Sequence, residues 1–214
     1  MELLRVRRFH PWEGGEGKVS SQYVTAHLLS GRKALETGDA ERALEHFEAA
    51  QSYPANLGEG KHLLTLEADL NYFAGLARNA LGDKEGSKAC FQKAAGTETP
   101  PSRMTYYQAL AMKELGEEAA STRKLEELLA FAEKQRHSEV KIEYFATSLP
   151  NFLIFEDDLQ RRNQVDCTFL KGLSYLGLGQ ISEAKKAFRD VLALDANHLW
   201  AQEELGILTS GDRT

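Results

Sequence analysis

Four times along this chain, a small residue is followed at fixed distances by a glycine, another small residue and a large apolar one. The sets are Gly31, Gly38, Ala43 and Phe47; Gly75, Gly82, Ser87 and Phe91; Ala109, Gly116, Ser121 and Leu125; and Gly172, Gly179, Ala184 and Phe188. Around them apolar residues recur at intervals of three and four, as in Ala43, Phe47 and Ala50, which places them on one face of a helix. The second member of each set is a glycine between two such periodic stretches, where a chain reversal favours a residue without a Cβ. Each set therefore predicts two helices joined by a tight turn. The small residues sit where the helices must touch, and large apolar residues flank them.

This spacing resembles the tetratricopeptide repeat (TPR), which carries a small residue at position 8, Gly at 15, Ala at 20, an aromatic at 24 and Ala at 27. The stretch 167–198 carries the pattern with Val191 in place of Ala at 27 and Ala196 in place of the usual Pro at 32. The set at Gly116 is the weakest, because Leu125 and Leu128 replace two markers. The resemblance implies an all-α fold, an α-α superhelix preceded by a short extended N-terminal arm. A helix pair cannot cover its own apolar face, so each repeat buries it on the next. The expected organisation is an arm over 1–20 and a helical solenoid over 21–208, with repeats near 24–55, 68–97, 102–135 and 165–198. The turn glycines Gly38, Gly82, Gly116 and Gly179 are 44, 34 and 63 residues apart. The plain repeat length is 34, so the other two spacings imply insertions of about 10 and 29 residues. The longer insertion, 136–164, carries Val140, Tyr144 and Thr147 in helical spacing and the run NFLIF, too apolar to be left in water. A helix is expected from Asp157 onward, and Trp200 and Leu205 should belong to a final capping helix.

The first twenty residues follow another pattern. Leu3, Leu4, Val6 and Phe9 alternate loosely with Arg5, Arg7 and Arg8, and HPWEGGEGK then supplies one proline and three glycines. An extended arm leading into a glycine loop is predicted, with Phe9 and Trp12 docked on the helices or on another molecule. The arginines also interrupt any apolar run of signal-peptide length, and no stretch approaches a membrane span, so a cytoplasmic location is expected. A net charge of -6, with no long Lys/Arg run, speaks against general nucleic-acid binding. The two cysteines, Cys90 and Cys167, both lie in helical patterns and read as small buried hydrophobes.

Residues that could carry chemistry fall into three groups. The tetrapeptide GEGK occurs twice, as 15–18 and 58–61, each time just before a helix. Glycines let backbone N–H groups converge, and helix starts favour anions. A nucleotide-binding P-loop is excluded, since it needs Gly five residues before the final Gly and Ser or Thr after Lys, where this chain has Trp12 and Val19 or Ala55 and His62. Two readings remain: loops entering helices with Glu16 and Glu59 near positive helix ends, or side-by-side loops forming a polar pocket with Trp12. The second group, Glu156-Asp157-Asp158 followed by Arg162, reads either as an acidic first helical turn or as carboxylates beside an arginine that could hold a sugar. The pocket candidates are therefore Trp12, Glu13, Glu16, Lys18, Glu59, Lys61, Glu156, Asp157 and Arg162. The histidines show no metal-ligand spacing and no nucleophile signature is present, so no metal, cofactor or catalytic residue is expected.

The third group comes from the TPR resemblance, which implies a peptide groove on the first helix of each pair. Its positions give Arg32, Tyr72, Asn79, Tyr106, Lys113 and Phe169 as groove candidates. The alternative is that the aromatics are core and insertion helices fill the groove. Beyond the repeats, the segments HPWEGGEGK, YPANLGEGK and SLPNFLIFEDDLQRRN resemble the C-terminal portion of large bacterial proteins in which a β-rich domain precedes a TPR tail. That resemblance implies a link to carbohydrate metabolism and a β-rich companion that could dock along residues 3–12. The leading expectation is a non-catalytic interaction or scaffolding module with a protein or peptide partner, no nucleic acid and no membrane. The alternative is a carbohydrate-binding or carbohydrate-processing accessory protein, and self-association into a homo-oligomer is a third option.

Overall fold

A computed structural model describes residues 2–10, 12–140 and 158–210. Among them the chain forms α-helices and one 3-10 turn, and no strand. The helices are α1 (Glu2–Val6), α2 (Lys18–Glu36), α3 (Ala40–Ala50), α4 (Ala68–Ala80), α5 (Lys84–Ala95), α6 (Arg103–Glu114), α7 (Glu118–Arg136), α8 (Leu159–Gly177), α9 (Ile181–Leu194) and α10 (Leu199–Ser210), with the 3-10 turn at Ala55–Leu57. Expectations placed on Tyr144, Thr147, NFLIF, Glu156 and Asp157 fall outside the described residues.

The turns form as the glycine spacing requires. Gly38, Gly82, Gly116 and Gly179 all lie at positive φ, between 75° and 83°. There a side chain would be strained, so glycine ends one helix and releases the next. Asp39 and Asp83 follow two of these glycines and cap the helix that starts there, accepting hydrogen bonds from Arg42 N at 3.1 Å and Gly86 N at 2.9 Å. The Gly-Asp pair is thus a stop and a start written in adjacent residues.

Packing inside each pair rests on one contact repeated three times. A Cβ built on Gly31 would lie 2.4 Å from the Phe47 ring, and one built on Gly75 or Gly172 would lie 2.5 Å from Phe91 or Phe188. The ring occupies the space a side chain would have taken, so the two backbones approach closely over a fully buried aromatic. The remaining pair solves the same problem with other volumes. Ala109 takes the glycine's place, Leu125 takes the ring's, and both are buried. Ser121 Oγ there donates to the Ala109 carbonyl at 2.7 Å, which satisfies the hydroxyl at the crossing.

The described chain divides into two compact units: Met1–Thr99 with Leu110–Glu117, and Pro100–Ala109 with Glu118–Thr214. In the first, α2 packs on α3, α3 on α4 and α4 on α5. Phe47 stacks on Phe73 at 5.7 Å, Phe73 meets Tyr72 edge-on at 5.2 Å, and Tyr72 reaches Phe91 at 6.0 Å, so one aromatic series crosses three helices. In the second unit α7 packs on α8, α8 on α9 and α9 on α10. Here α10 is the capping helix, and Arg103 on α6 lies over its Trp200 ring at 4.1 Å.

The N-terminal arm is not extended throughout, because Glu2–Val6 forms the short helix α1. Asn56 in the 3-10 turn holds it there, its side-chain amide donating to the carbonyls of Leu4 and Arg7 at 2.9 Å each. Those carbonyls belong to a helix end with no further turn to satisfy them. Phe9 N then donates to the Asn56 carbonyl at 2.8 Å, and the chain runs on into the glycine loop.

Candidate functional site

The two GEGK loops, distant in sequence, meet at the start of α2. Gly17 is the residue before that helix, at φ 76°, and has no side chain with which to cap it. Glu59 of the second loop supplies the cap: its carboxylate accepts from Gly17 N at 2.9 and 3.1 Å and from the Ser20 hydroxyl at 3.0 Å. An anion at the positive end of a helix, bonded to otherwise unpaired donors, is stabilising on both counts. Lys61 ties the second loop in turn, pairing with Glu67 and donating to the Gln51 carbonyl at 3.3 Å. Tyr53 sits beside this network, and burial together with the nearby Glu67 and Glu59 charges pushes its phenol above the usual range, with a Thr65 hydrogen bond opposing. Replacing Glu59 by alanine should destabilise the first unit by about 1–2 kcal/mol in a urea titration, since a charged cap is lost. An unchanged midpoint would show that water caps Gly17 equally well.

The other candidates at this junction face solvent. Glu13, Glu16 and Lys18 are exposed. Trp12 is 52% exposed, yet one face of its indole lies on Gly15, where an added Cβ would fall 2.0 Å from the ring. Beyond Lys61 the second loop continues through Leu63 and Leu64, which are 99% and 79% exposed. These two adjacent leucines are the most exposed large apolar residues among the described ones, ahead of Val6 at 69% and Leu3 at 65%.

Arg162 belongs to the second unit, near the start of α8. Asp158 caps that helix, accepting from Arg161 N at 2.9 Å. Arg162 lines an open cavity of about 370 Å³ with Asp158, Asp166 and His198, and another of about 460 Å³ with Gln135 and Asn163. Burial raises the Asp166 carboxyl above its ordinary range, against the opposing charges of Arg162 and His198.

The groove candidates divide by exposure. Arg32, Tyr106 and Phe169 are buried, at 8%, 6% and 5% exposure. Arg32 lies over the Phe73 ring at 5.2 Å, Tyr106 meets Tyr107 edge-on at 5.1 Å, and Phe169 packs between Phe188 at 5.8 Å and His198 at 4.6 Å. Tyr72 is half-buried, and its phenol is pushed up to about 12 by burial, with Glu114 adding to the shift and Arg32 opposing it. Asn79 and Lys113 are exposed, and Asn79 accepts from Lys84 Nζ at 2.7 Å. The aromatic members are thus interior residues of their units, and in the second unit it is the residues around the start of α10 that cover Phe169.

One pairing had no counterpart in the sequence reading. His27 of α2 and His46 of α3 bring their Nδ1 atoms to 3.1 Å, with the Tyr23 ring tilted against the His27 ring at 4.4 Å. Burial first, then the His46 and Arg5 charges, lowers His27 to about 4, and burial with Arg42 lowers His46. The signal was available in the register: His27 lies four residues before Gly31 and His46 one before Phe47, so both sit next to the interlock.

Helix pairs closed by glycine–aromatic contacts around glycine turns are the architecture of tetratricopeptide repeats, and a tetratricopeptide-repeat family model matches residues 68–97 and 166–198. Those stretches cover α4–α5 and most of α8–α9. Among solved structures, MamA 41-end from Desulfovibrio magneticus RS-1 is similar at 16% identity, covering 89% of this chain and 86% of that one with a TM-score of 0.31. The MamA RS-1 ArsTM double mutant is similar at 16% identity over 89% and 85%, with a TM-score of 0.30. No helix among the described residues is long and apolar enough to cross a membrane.

Proposed function

We propose that this protein is a non-catalytic interaction scaffold of the TPR type, whose partner docks on the apolar residues beside the paired glycine loops. The observation that carries this reading is the exposure of Leu63 and Leu64, at 99% and 79%, on a loop anchored at both ends by Lys61 and Glu67. A partner that covers them gains roughly 1.5–3 kcal/mol per leucine. Trp12, half exposed on the facing loop, adds an aromatic anchor of the kind that dominates binding energy. The partner best matched to the sequence resemblance is a β-rich domain. The carbohydrate alternative stands behind this one, because two of the polar groups it would draw on at the loop junction are engaged: Glu59 by Gly17 and Ser20, and Lys61 by Glu67.

Calorimetric titration with an isolated β-rich domain from the resembling large proteins tests the reading. Binding should be measurable, and Leu63→Glu/Leu64→Glu should weaken it by about 100-fold, since each lost anchor is worth about tenfold or more. Both leucines are solvent-exposed, so the helical circular dichroism should be unchanged. Equal affinity for the double variant, or no heat with the wild-type chain, would remove the proposal.

A further inference from the structure

The first unit carries an open cleft of about 950 Å³, lined by residues of α1, the second half of α2 and α3. Its volume lies at the upper end of ordinary ligand sites. Its lining includes apolar Val6, Leu29 and Ala34. It also includes basic Arg5, Lys33 and Arg42, in a chain whose net charge is -6. Lys33 is paired with Glu36 at 3.3 Å, on the exposed surface. The guanidinium groups of Arg5 and Arg42 have no hydrogen-bond or ion-pair partner among the described residues, although both line the cleft. The hydroxyls on the lining donate to the backbone, Ser30 to the Ala26 carbonyl at 2.8 Å and Thr37 to the Ala34 carbonyl at 3.0 Å. Asp39, also on the rim, is occupied in capping α3.

We propose that this cleft binds an acidic peptide segment of a partner protein, with carboxylates on Arg5 and Arg42 and an apolar side chain against Val6, Leu29 and Ala34. A planar guanidinium offers paired donors that match a carboxylate, and two such groups lining one cleft can hold two acidic residues. The apolar residues of the lining favour a peptide over a bare anion. The cleft is not the TPR groove, whose positions on α2 are Leu28, Arg32 and Leu35; none of these lines it. The site shares with the proposed scaffold function only the assumption of a protein partner, and it uses different residues from the Leu63–Leu64 surface.

Fluorescence anisotropy on the full chain, with a labelled peptide of about eight glutamate and leucine residues, tests the inference. The wild-type chain should bind it, with affinity falling as salt rises from about 50 to 500 mM because exposed charges are screened. Arg42→Glu and Arg5→Glu should each weaken binding by at least about tenfold. Both residues are exposed, so the fold should survive. A peptide with serine in place of leucine should bind more weakly, and amide shifts on binding should concentrate at Ser30, Lys33 and Arg42. Unchanged affinity in Arg42→Glu would overturn the inference. So would equal competition by inorganic phosphate, which would mark a general anion site, or concentration-dependent dimers abolished by Arg42→Glu, which would make the occupant a second copy of the chain. Loss of peptide binding in Arg42→Glu with β-rich-domain binding intact, and the reverse in Leu63→Glu/Leu64→Glu, keeps the two proposals separable.

Discussion

Phe188→Ala should destabilise the second unit by about 3–5 kcal/mol, the range for removing a fully buried ring. Phe188 is 0% exposed and fills the space over Gly172, where an added Cβ would lie 2.5 Å from the ring. Glycine contributes no side chain that could relax into the void, and the neighbouring Phe169, at 5.8 Å, is itself held by His198. The cavity therefore stays open, which puts the expected loss toward the upper half of the range. Urea unfolding measures it, and the chain provides a local probe. Its two tryptophans, Trp12 and Trp200, fall one in each unit, so a Trp12→Phe background reports the second unit through Trp200. The chain also contains its own control. In the α6–α7 pair, Ala109 and Leu125 fill the same crossing. Gly172→Ala alone should be overpacked, and Phe188→Leu alone underpacked. Their combination should cost clearly less than the sum of the two, since neighbouring substitutions couple. Strict additivity would show that the interlock is not the shared volume constraint described above.

Stability of the first unit should fall as pH is lowered from about 6.5 to about 4, by on the order of 2–3 kcal/mol, through the His27–His46 pair. His27 is 7% exposed, and its Nδ1 atom lies 3.1 Å from that of His46. A single hydrogen fits between the two atoms, so one ring donates and the other must be neutral to accept. In the folded chain burial, then His46 and Arg5, holds His27 at about 4, whereas the ordinary histidine value is 6.5. Between those values the unfolded chain binds more protons than the folded one, so the stability is complete above about pH 6.5. It declines as pH falls toward 4 and levels off below the folded value. The lowered His46 acts in the same direction. The measurement is the difference in unfolding free energy between wild type and His27→Leu at several pH values, which cancels the carboxylates common to both. A difference that does not change between pH 7 and pH 4.5 would rule out the pair as the cause.

The elements that sequence reading placed well are those whose signals are local. The reversals at Gly38, Gly82, Gly116 and Gly179 need only the conformational freedom of one residue, and the interlocks at Phe47, Phe91 and Phe188 follow from fixed spacing to a glycine. The segment 1–20 was harder to place, because α1 exists through Asn56, a residue about fifty positions away whose amide side chain bonds to two carbonyls. The GEGK repeat gave two residues of one type and no means of telling their roles apart. In three dimensions Glu59 caps α2 while Glu16 stays in water, because only the second loop is brought across the start of that helix.

The amino-acid order by itself settled that this chain folds into antiparallel helix pairs and where each pair reverses, because turn conformation and helical period are decided within a few residues. Beyond the glycine–aromatic interlocks, which side chains meet was decided by tertiary structure. A helix rotated by a fraction of a turn moves a residue from groove to core, and that rotation is set by the neighbouring helix. For that reason Arg32, Tyr106 and Phe169, read as groove positions, lie inside their units, His27 finds His46, and Arg5 comes to share a cleft with Arg42.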